Sequence, residues 1–200
     1  MNTIPYILIA IRFILAPVII SLAYLNGAES RFLILGLMYF GLLTDIFDGI
    51  IARKVGVSSE KLRRLDSQTD LVFWLSLGFA SYFLNSELIK NEWEGILLIF
   101  VMEALCYVVS ILKFRKETCT HAFLSKMWGI TLLVAFTCLI GFNYAGIPFK
   151  VSIFLGIISQ VDVILILLIL PNWTHDIPSF YHAYLIRKNI PFKRNKFLNG

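Results

Sequence analysis

The chain has 200 residues, of which 58% are hydrophobic, and a formal net charge of +5 at pH 7. This apolar content is too high for an ordinary soluble domain and indicates a polytopic membrane protein. The basic residues lie next to apolar stretches, which argues against a nucleic-acid-binding protein. Three cysteines without paired spacing also argue against a disulfide framework or a zinc site.

Six apolar stretches are long enough to cross about 30 Å of hydrocarbon. They predict an all-α fold, a bundle of six transmembrane helices. We expect one domain over residues 1–186 and a basic cytoplasmic tail over residues 187–200. The predicted spans, in chain order, are Ile4–Leu25, Phe32–Ile51, Leu65–Leu84, Gly95–Leu112, Met127–Phe142 and Val151–Leu170.

The lysines and arginines are distributed unevenly between alternate loops. If both termini are cytoplasmic, the inner segments hold fourteen of the eighteen basic residues. Cytoplasmic loops of membrane proteins carry such an excess of positive charge. The sequence therefore predicts a multi-pass protein of the cell (inner) membrane with both termini in the cytoplasm.

Four aspartates interrupt the predicted second and third spans. Asp45 and Asp48 lie near the end of the second span, and Asp66 and Asp70 lie at the start of the third. Ionisable groups within apolar helices are costly and mark candidate functional sites. At about 100° per residue, the two aspartates of each helix share one face. Antiparallel packing of these helices would bring the four carboxylates together at the cytoplasmic end.

Carboxylate oxygens at this spacing suit Mg²⁺, Mn²⁺ or Ca²⁺ better than Zn²⁺. Gly49 and Ala52 follow on the same helix face and leave room for a ligand, and Arg53 offers a bidentate cation to phosphate. A purely structural polar cluster is the alternative, but four unpaired carboxylates would repel one another. The sequence therefore predicts a divalent-metal site beside a phosphate-binding face.

The pattern Asp-x2-Asp-Gly-x2-Ala-Arg, followed at a fixed interval by Asp-x3-Asp, resembles the signature of CDP-alcohol phosphotransferases. Of the eight motif positions one differs, because Leu62 replaces the glycine of the family. A weaker resemblance covers most of the chain, and in the first span Tyr6 and Ile9 replace an asparagine and a threonine. The seven matching positions are Asp45, Asp48, Gly49, Ala52, Arg53, Asp66 and Asp70.

This resemblance implies an integral membrane enzyme that exchanges CMP on a CDP-alcohol for a second alcohol. It implies that the four aspartates hold one or two Mg²⁺ or Mn²⁺ ions and that Asp70 is the general base. It also implies that Gly49, Ala52 and Arg53 contact nucleotide and phosphate. The expected donor is CDP-diacylglycerol, and the expected acceptor is glycerol 3-phosphate first and inositol phosphate or inositol second. Membrane lipid and a second copy of the chain are further expected partners, with the active site facing the cytoplasm.

Several charged residues outside the motif also have candidate roles. Lys126, His121 and Arg12 are candidates for binding an anionic acceptor. Lys126 could instead be a cytoplasmic anchor, and Arg12 could reach the headgroups or pair with an acid inside the bundle. Glu103 and Asp162 lie within predicted spans, so we expect them to point inward and to form hydrogen bonds between helices.

Two other functions fit parts of the sequence. A divalent-cation transporter would use the aspartates as an ion path, but it would need acids along the whole bundle, whereas four cluster at one end. A family member that binds CDP-lipid without turnover is the other alternative, and Leu62, Tyr6 and Ile9 favour it.

Overall fold

The computed structural model describes residues 3–56, 59–118 and 120–192, apart from the side chain of Arg53. Within these residues the chain is helical and contains no strand, which confirms the all-α prediction. A 3₁₀ turn, Gly27–Ser30, joins the first two helices, and a π-helical turn, Thr137–Gly141, follows the sixth. The α-helices are α1 Ile4–Asn26, α2 Arg31–Val55, α3 Glu60–Leu84, α4 Ser86–Asn91, α5 Trp93–Phe114, α6 Phe123–Phe136, α7 Ile147–Ile169 and α8 Phe180–Arg187.

Within the described residues, four helical stretches are long and apolar enough to cross a membrane. The first of them contains both α1 and α2. Helix α3 is not among them, because its N-terminal half is rich in charged and polar residues. The membrane character of the chain is therefore supported, while the count of six spans and the cytoplasmic termini remain predictions. The four stretches are Ile4–Ala52, Trp93–Phe114, Phe123–Gly141 and Ile147–Ile169.

Helices α2 and α3 both continue beyond the apolar stretches that predict them. Helix α2 runs on to Val55, and α3 begins at Glu60, after a cap in which Ser59 Oγ accepts a hydrogen bond of 3.2 Å from the Leu62 N–H. Hydropathy identifies only the apolar part of a helix. Lysine, arginine and glutamate have high helix propensity, so the helix can continue through residues that face water. All four aspartates therefore lie on regular helix.

The chain forms two compact units. The first consists of the described parts of residues 1–91 together with 136–145, and the second of those of 92–135 and 146–200. In the first unit, α1 packs along both α2 and α3, while α2 and α3 make little direct contact with each other. The face of α1 therefore determines what lies between the two helices that carry the aspartates.

Helix α1 buries one stripe of residues that recur every three or four positions. This spacing matches the 3.6-residue helical repeat and defines a single face. The two alanines allow neighbouring helices to approach closely. The stripe includes one charged residue, Arg12, at its centre. The stripe is Pro5, Ile9, Arg12, Ala16, Ile19 and Ala23.

The π-helical turn of the first unit is held by side chains of α2 and of the segment after α3. Asn85 Nδ2 donates a hydrogen bond to the carbonyl of Leu139 at 2.8 Å, and Arg31 Nη1 donates to the carbonyl of Ile140 at 3.2 Å. Arg31 Nη2 also donates to Asn85 Oδ1 at 2.7 Å. A π turn disrupts the regular backbone pattern, so carbonyls at this point need such partners. Arg31 thus stabilises the end of α2 opposite the aspartates.

In the second unit, α5 packs closely against α7, and two glycines permit close contacts. A Cβ atom at Gly156 would lie 2.7 Å from Trp128 Nε1, and one at Gly95 would lie 2.7 Å from Ile153 Cδ1. Both distances are too short for a side chain, so glycine allows these large neighbours to pack against the helix backbone.

Two carboxylates within predicted spans form hydrogen bonds between helices of this unit. Gln160 Nε2 donates to Glu103 Oε2, and Cys106 Sγ donates to Gln160 Oε1 at 3.1 Å. Asp162 Oδ1 accepts a hydrogen bond of 3.0 Å from the N–H of Phe180, the first residue of α8. Both acids therefore make the inward-pointing structural contacts that the sequence predicts.

Replacing Asp162 with alanine is expected to weaken the attachment of α8. The lost acceptor leaves a helix N-terminal amide unsatisfied, which costs about 0.5–2 kcal/mol. Trypsin should then cleave at Arg187 faster than in the parent, as measured by mass spectrometry over time. Asp162→Asn keeps an acceptor oxygen and serves as the control; equal cleavage rates in the two variants would contradict the capping role.

Candidate metal centre

The four aspartates come from two helices and converge. Helix α2 supplies Asp45 and Asp48, and α3 supplies Asp66 and Asp70. Carboxylate oxygens of Asp45, Asp48 and Asp66 lie within 4.8 Å of one another. The side chains of Asp45 and Asp70 are 35% and 33% exposed, whereas those of Asp48 and Asp66 are 5% and 14% exposed. The cluster thus has a shielded pair and an accessible pair.

The guanidinium of Arg12 lies among these carboxylates and is 1% exposed. Its Nη2 is 2.5 Å from Asp66 Oδ1 and 3.2 Å from Asp48 Oδ2. Its Nε is 3.2 Å from Asp70 Oδ1, and its Nη1 pairs with Asp45. The sequence predicts that α2 and α3 bring the carboxylates together by packing directly. That part is corrected: α1 lies against both helices, and Arg12 joins their carboxylates.

The chemistry of the cluster fits a hard divalent cation. Its candidate ligands are all carboxylate oxygens, which Mg²⁺ and Mn²⁺ prefer. Asp48 Oδ2 is buried and accepts no hydrogen bond within the described part of the chain. The Arg12 guanidinium carries one positive charge and pairs with four carboxylates, so further positive charge would stabilise the cluster.

The residues expected to contact nucleotide differ in their surroundings. Gly49 is half-buried on α2, and Ala52 is 6% exposed. Ala52 packs against Ile9 of α1 and Leu62 of α3 in a small apolar cluster. Arg53 belongs to α2, but its side chain lies outside the described part of the structure. Contact of these three residues with nucleotide and phosphate therefore stays a prediction.

The presence of Ile9 and Leu62 in one buried cluster with Ala52 is not evident from the sequence. Both positions depart from the family pattern, and both departures replace a small or polar residue with a large apolar one. Tyr6 is a third such departure and is exposed, so the replacements alone do not indicate that Ile9 and Leu62 are neighbours. In the structure they cover Ala52 together.

The other predicted acceptor-binding residues belong to the second unit. His121 lies two residues before α6 and has a backbone φ of 46°, and Lys126 is an exposed residue of the first turns of α6. Arg12 and the aspartates belong to the first unit. An acceptor-binding role for Lys126 and His121 thus stays a prediction, while Arg12 is placed with the aspartates.

Comparison with known proteins gives one family. The family model of CDP-alcohol phosphatidyltransferases matches residues 2–174, which is most of the chain and includes all the motif residues. No curated protein and no solved structure matched the chain. The family consists of phosphotransferases that transfer a phosphatidyl group from a CDP-alcohol to an acceptor. On this match, and on the convergence of the motif aspartates, the chain belongs to the CDP-alcohol phosphatidyltransferase family.

Proposed function

We propose that this protein transfers the phosphatidyl group of CDP-diacylglycerol to a small alcohol at the inner membrane and releases CMP. The observation that carries the proposal is the convergence of Asp45, Asp48, Asp66 and Asp70 from two helices. Glycerol 3-phosphate is the first candidate acceptor, and inositol phosphate or inositol is the second.

The aspartates would hold one or two Mg²⁺ or Mn²⁺ ions. A bound divalent cation would neutralise the diphosphate of the donor and the charge that develops on departing CMP. Gly49 and Ala52 would allow the nucleotide to approach α2, and Arg53 would bind a phosphate. These roles come from the motif that the chain shares with its family.

Asp70 is the proposed general base. Its side chain is 33% exposed, which leaves it accessible to the hydroxyl group of an acceptor. Asp70 would accept the proton of the acceptor hydroxyl while the hydroxyl oxygen attacks the β-phosphorus of the donor. The bond between this phosphorus and the bridging oxygen breaks, and CMP leaves with the bonding electrons. The reaction needs no covalent intermediate on the protein.

The proposed topology has six spans, α1, α2, α3, α5, α6 and α7, with both termini in the cytoplasm. The apolar stretches and the distribution of basic residues support it. It places the aspartates at the cytoplasmic surface, where CDP-linked donors and divalent ions are present. We further propose that the protein forms a homodimer and that Lys126 and His121 contribute to binding an anionic acceptor.

The proposal is tested by measuring CMP release from CDP-diacylglycerol by the purified protein in mixed micelles. We expect release only when both an alcohol from the acceptor panel and Mg²⁺ or Mn²⁺ are present, and no release in excess EDTA. Donor binding without CMP release for any acceptor would instead identify a relative that has lost activity. Divalent-ion flux into proteoliposomes without donor binding would identify a transporter.

A further inference from the structure

Arg12 is an unusual component of the aspartate cluster, because it belongs to neither helix of the motif. It lies at the centre of the buried stripe of α1, and its side chain is 1% exposed. Through its three nitrogens it makes an ion pair with each of the four aspartates. A guanidinium has five N–H donors in a rigid plane and cannot lose its proton in a protein, so it is suited to bridge several carboxylates.

The position of Arg12 brings it into conflict with a metal ion. The oxygens of Asp45, Asp48 and Asp66 form the group that could share one ion. Arg12 lies within ion-pair distance of an oxygen on each of these three residues. A divalent ion that binds these oxygens must therefore neutralise part of the negative charge around the guanidinium and replace some of its contacts to the carboxylates.

We propose that Arg12 is a positioning residue that competes with the divalent cation for the aspartate cluster. It keeps the carboxylates of α2 and α3 together when no ion is bound, and it lowers the affinity of the site so that ions exchange readily. The inference rests on the metal site of the proposed function. It adds that a residue of α1 sets the affinity of this site for the divalent ion.

The test compares Mn²⁺ binding by the full-length parent and by Arg12→Gln, measured from the electron paramagnetic resonance signal of free Mn²⁺. Removal of a competing charge at this distance should tighten Mn²⁺ binding by about tenfold or more. In EDTA the variant should unfold at a lower temperature than the parent, because its carboxylates then repel one another without the guanidinium that pairs with all four. Saturating Mn²⁺ should abolish most of this difference.

Arg31→Gln is the matched control. Arg31 also lies in the first unit and makes several hydrogen bonds, but to Asn85 and to backbone carbonyls rather than to the cluster. Its loss should lower the unfolding temperature equally with EDTA and with Mn²⁺, and it should leave Mn²⁺ affinity unchanged. A purely structural role for Arg12 would produce the same result as this control.

Unchanged or weaker Mn²⁺ binding in Arg12→Gln would overturn the inference while leaving the metal site in place. Absence of Mn²⁺ binding in the parent would overturn the metal site itself, and the inference with it. If Arg12→Gln does not fold even with Mn²⁺, Arg12→Lys replaces it. A single ammonium cannot bridge four carboxylates, so Mn²⁺ binding should again be tighter than in the parent, and an unchanged affinity would refute competition.

Discussion

Asp70→Asn is expected to lower the rate of CMP release by a factor of about 10²–10⁴, the usual contribution of a positioned general base. Asparagine retains the size of the side chain and one oxygen near Arg12, but it cannot accept the proton of the acceptor hydroxyl. Three carboxylates remain around the guanidinium, so the first unit should still fold. The measurement is the initial rate of CMP release at saturating donor and acceptor, with the thermal unfolding temperature recorded in parallel.

The control for this substitution is Glu87→Gln, the same chemical change on an exposed side chain of α4. Glu87 pairs with Lys90 in a surface contact of 2.9 Å, and such pairs contribute little to stability. This variant should release CMP at the parent rate. If Asp70→Asn also retains the parent rate while remaining folded, the assignment of Asp70 as the base is wrong.

Leu62→Gly is expected to have the second largest effect, and it should act on both stability and donor binding. Leu62 is 4% exposed and packs on Ile9 and Ala52. Truncation of a buried leucine costs about 2–5 kcal/mol in free energy of unfolding, and glycine within a helix adds about 0.5–1 kcal/mol. The space created next to Ala52 should lower the KM for CDP-diacylglycerol severalfold, because this face is the proposed nucleotide contact.

Two further variants separate these effects. Leu62→Ala makes a smaller space without the backbone penalty of glycine, so both changes should be smaller. Leu77→Ala removes a fully buried leucine from the same helix α3, further along the chain from the motif. It should destabilise the protein by a similar amount and leave the KM unchanged. A KM that is unaffected in both Leu62 variants would show that the Leu62 side chain does not restrict access of the nucleotide to the face of Ala52.

The position of each aspartate pair on one helix face could be predicted from the sequence because it depends only on the spacing along the chain. The intervals within Asp45–Asp48 and Asp66–Asp70 place each pair on one helix face, and carboxylates in apolar surroundings require a counter-charge. The all-α class follows equally directly from long apolar stretches. Neither of these inferences depends on how distant parts of the chain pack, whereas the convergence of the two aspartate pairs depends on the packing of α1 against both helices.

The identity of that counter-charge depends on packing and was harder to predict. The sequence allows three roles for Arg12: binding an anionic acceptor, reaching the headgroups or pairing with an acid within the bundle. The structure shows it paired with acids. A signal was present in the spacing of Ile9, Arg12, Ala16 and Ile19, which places the arginine on the most closely packed face of α1. Which helix faces α1 would meet could not be read from a pattern confined to one helix.

Helix boundaries were the least predictable feature. Lys54 and Lys61 flank the loop between α2 and α3 and reduce the local hydropathy, although the backbone on either side remains helical. The short helix α4 has no apolar periodicity to predict it. In both cases the hydropathy signal reports contact with hydrocarbon, whereas helix formation depends on backbone hydrogen bonds and caps that it does not measure.

The unequal exposure of the four carboxylates gives the site an outer rim and an inner floor. Asp45 and Asp70 form the rim, and Asp48 and Asp66 form the floor. A polar molecule that arrives from water meets the rim first. In the proposed reaction, incoming alcohol and outgoing nucleotide would thus use the same water-accessible entrance.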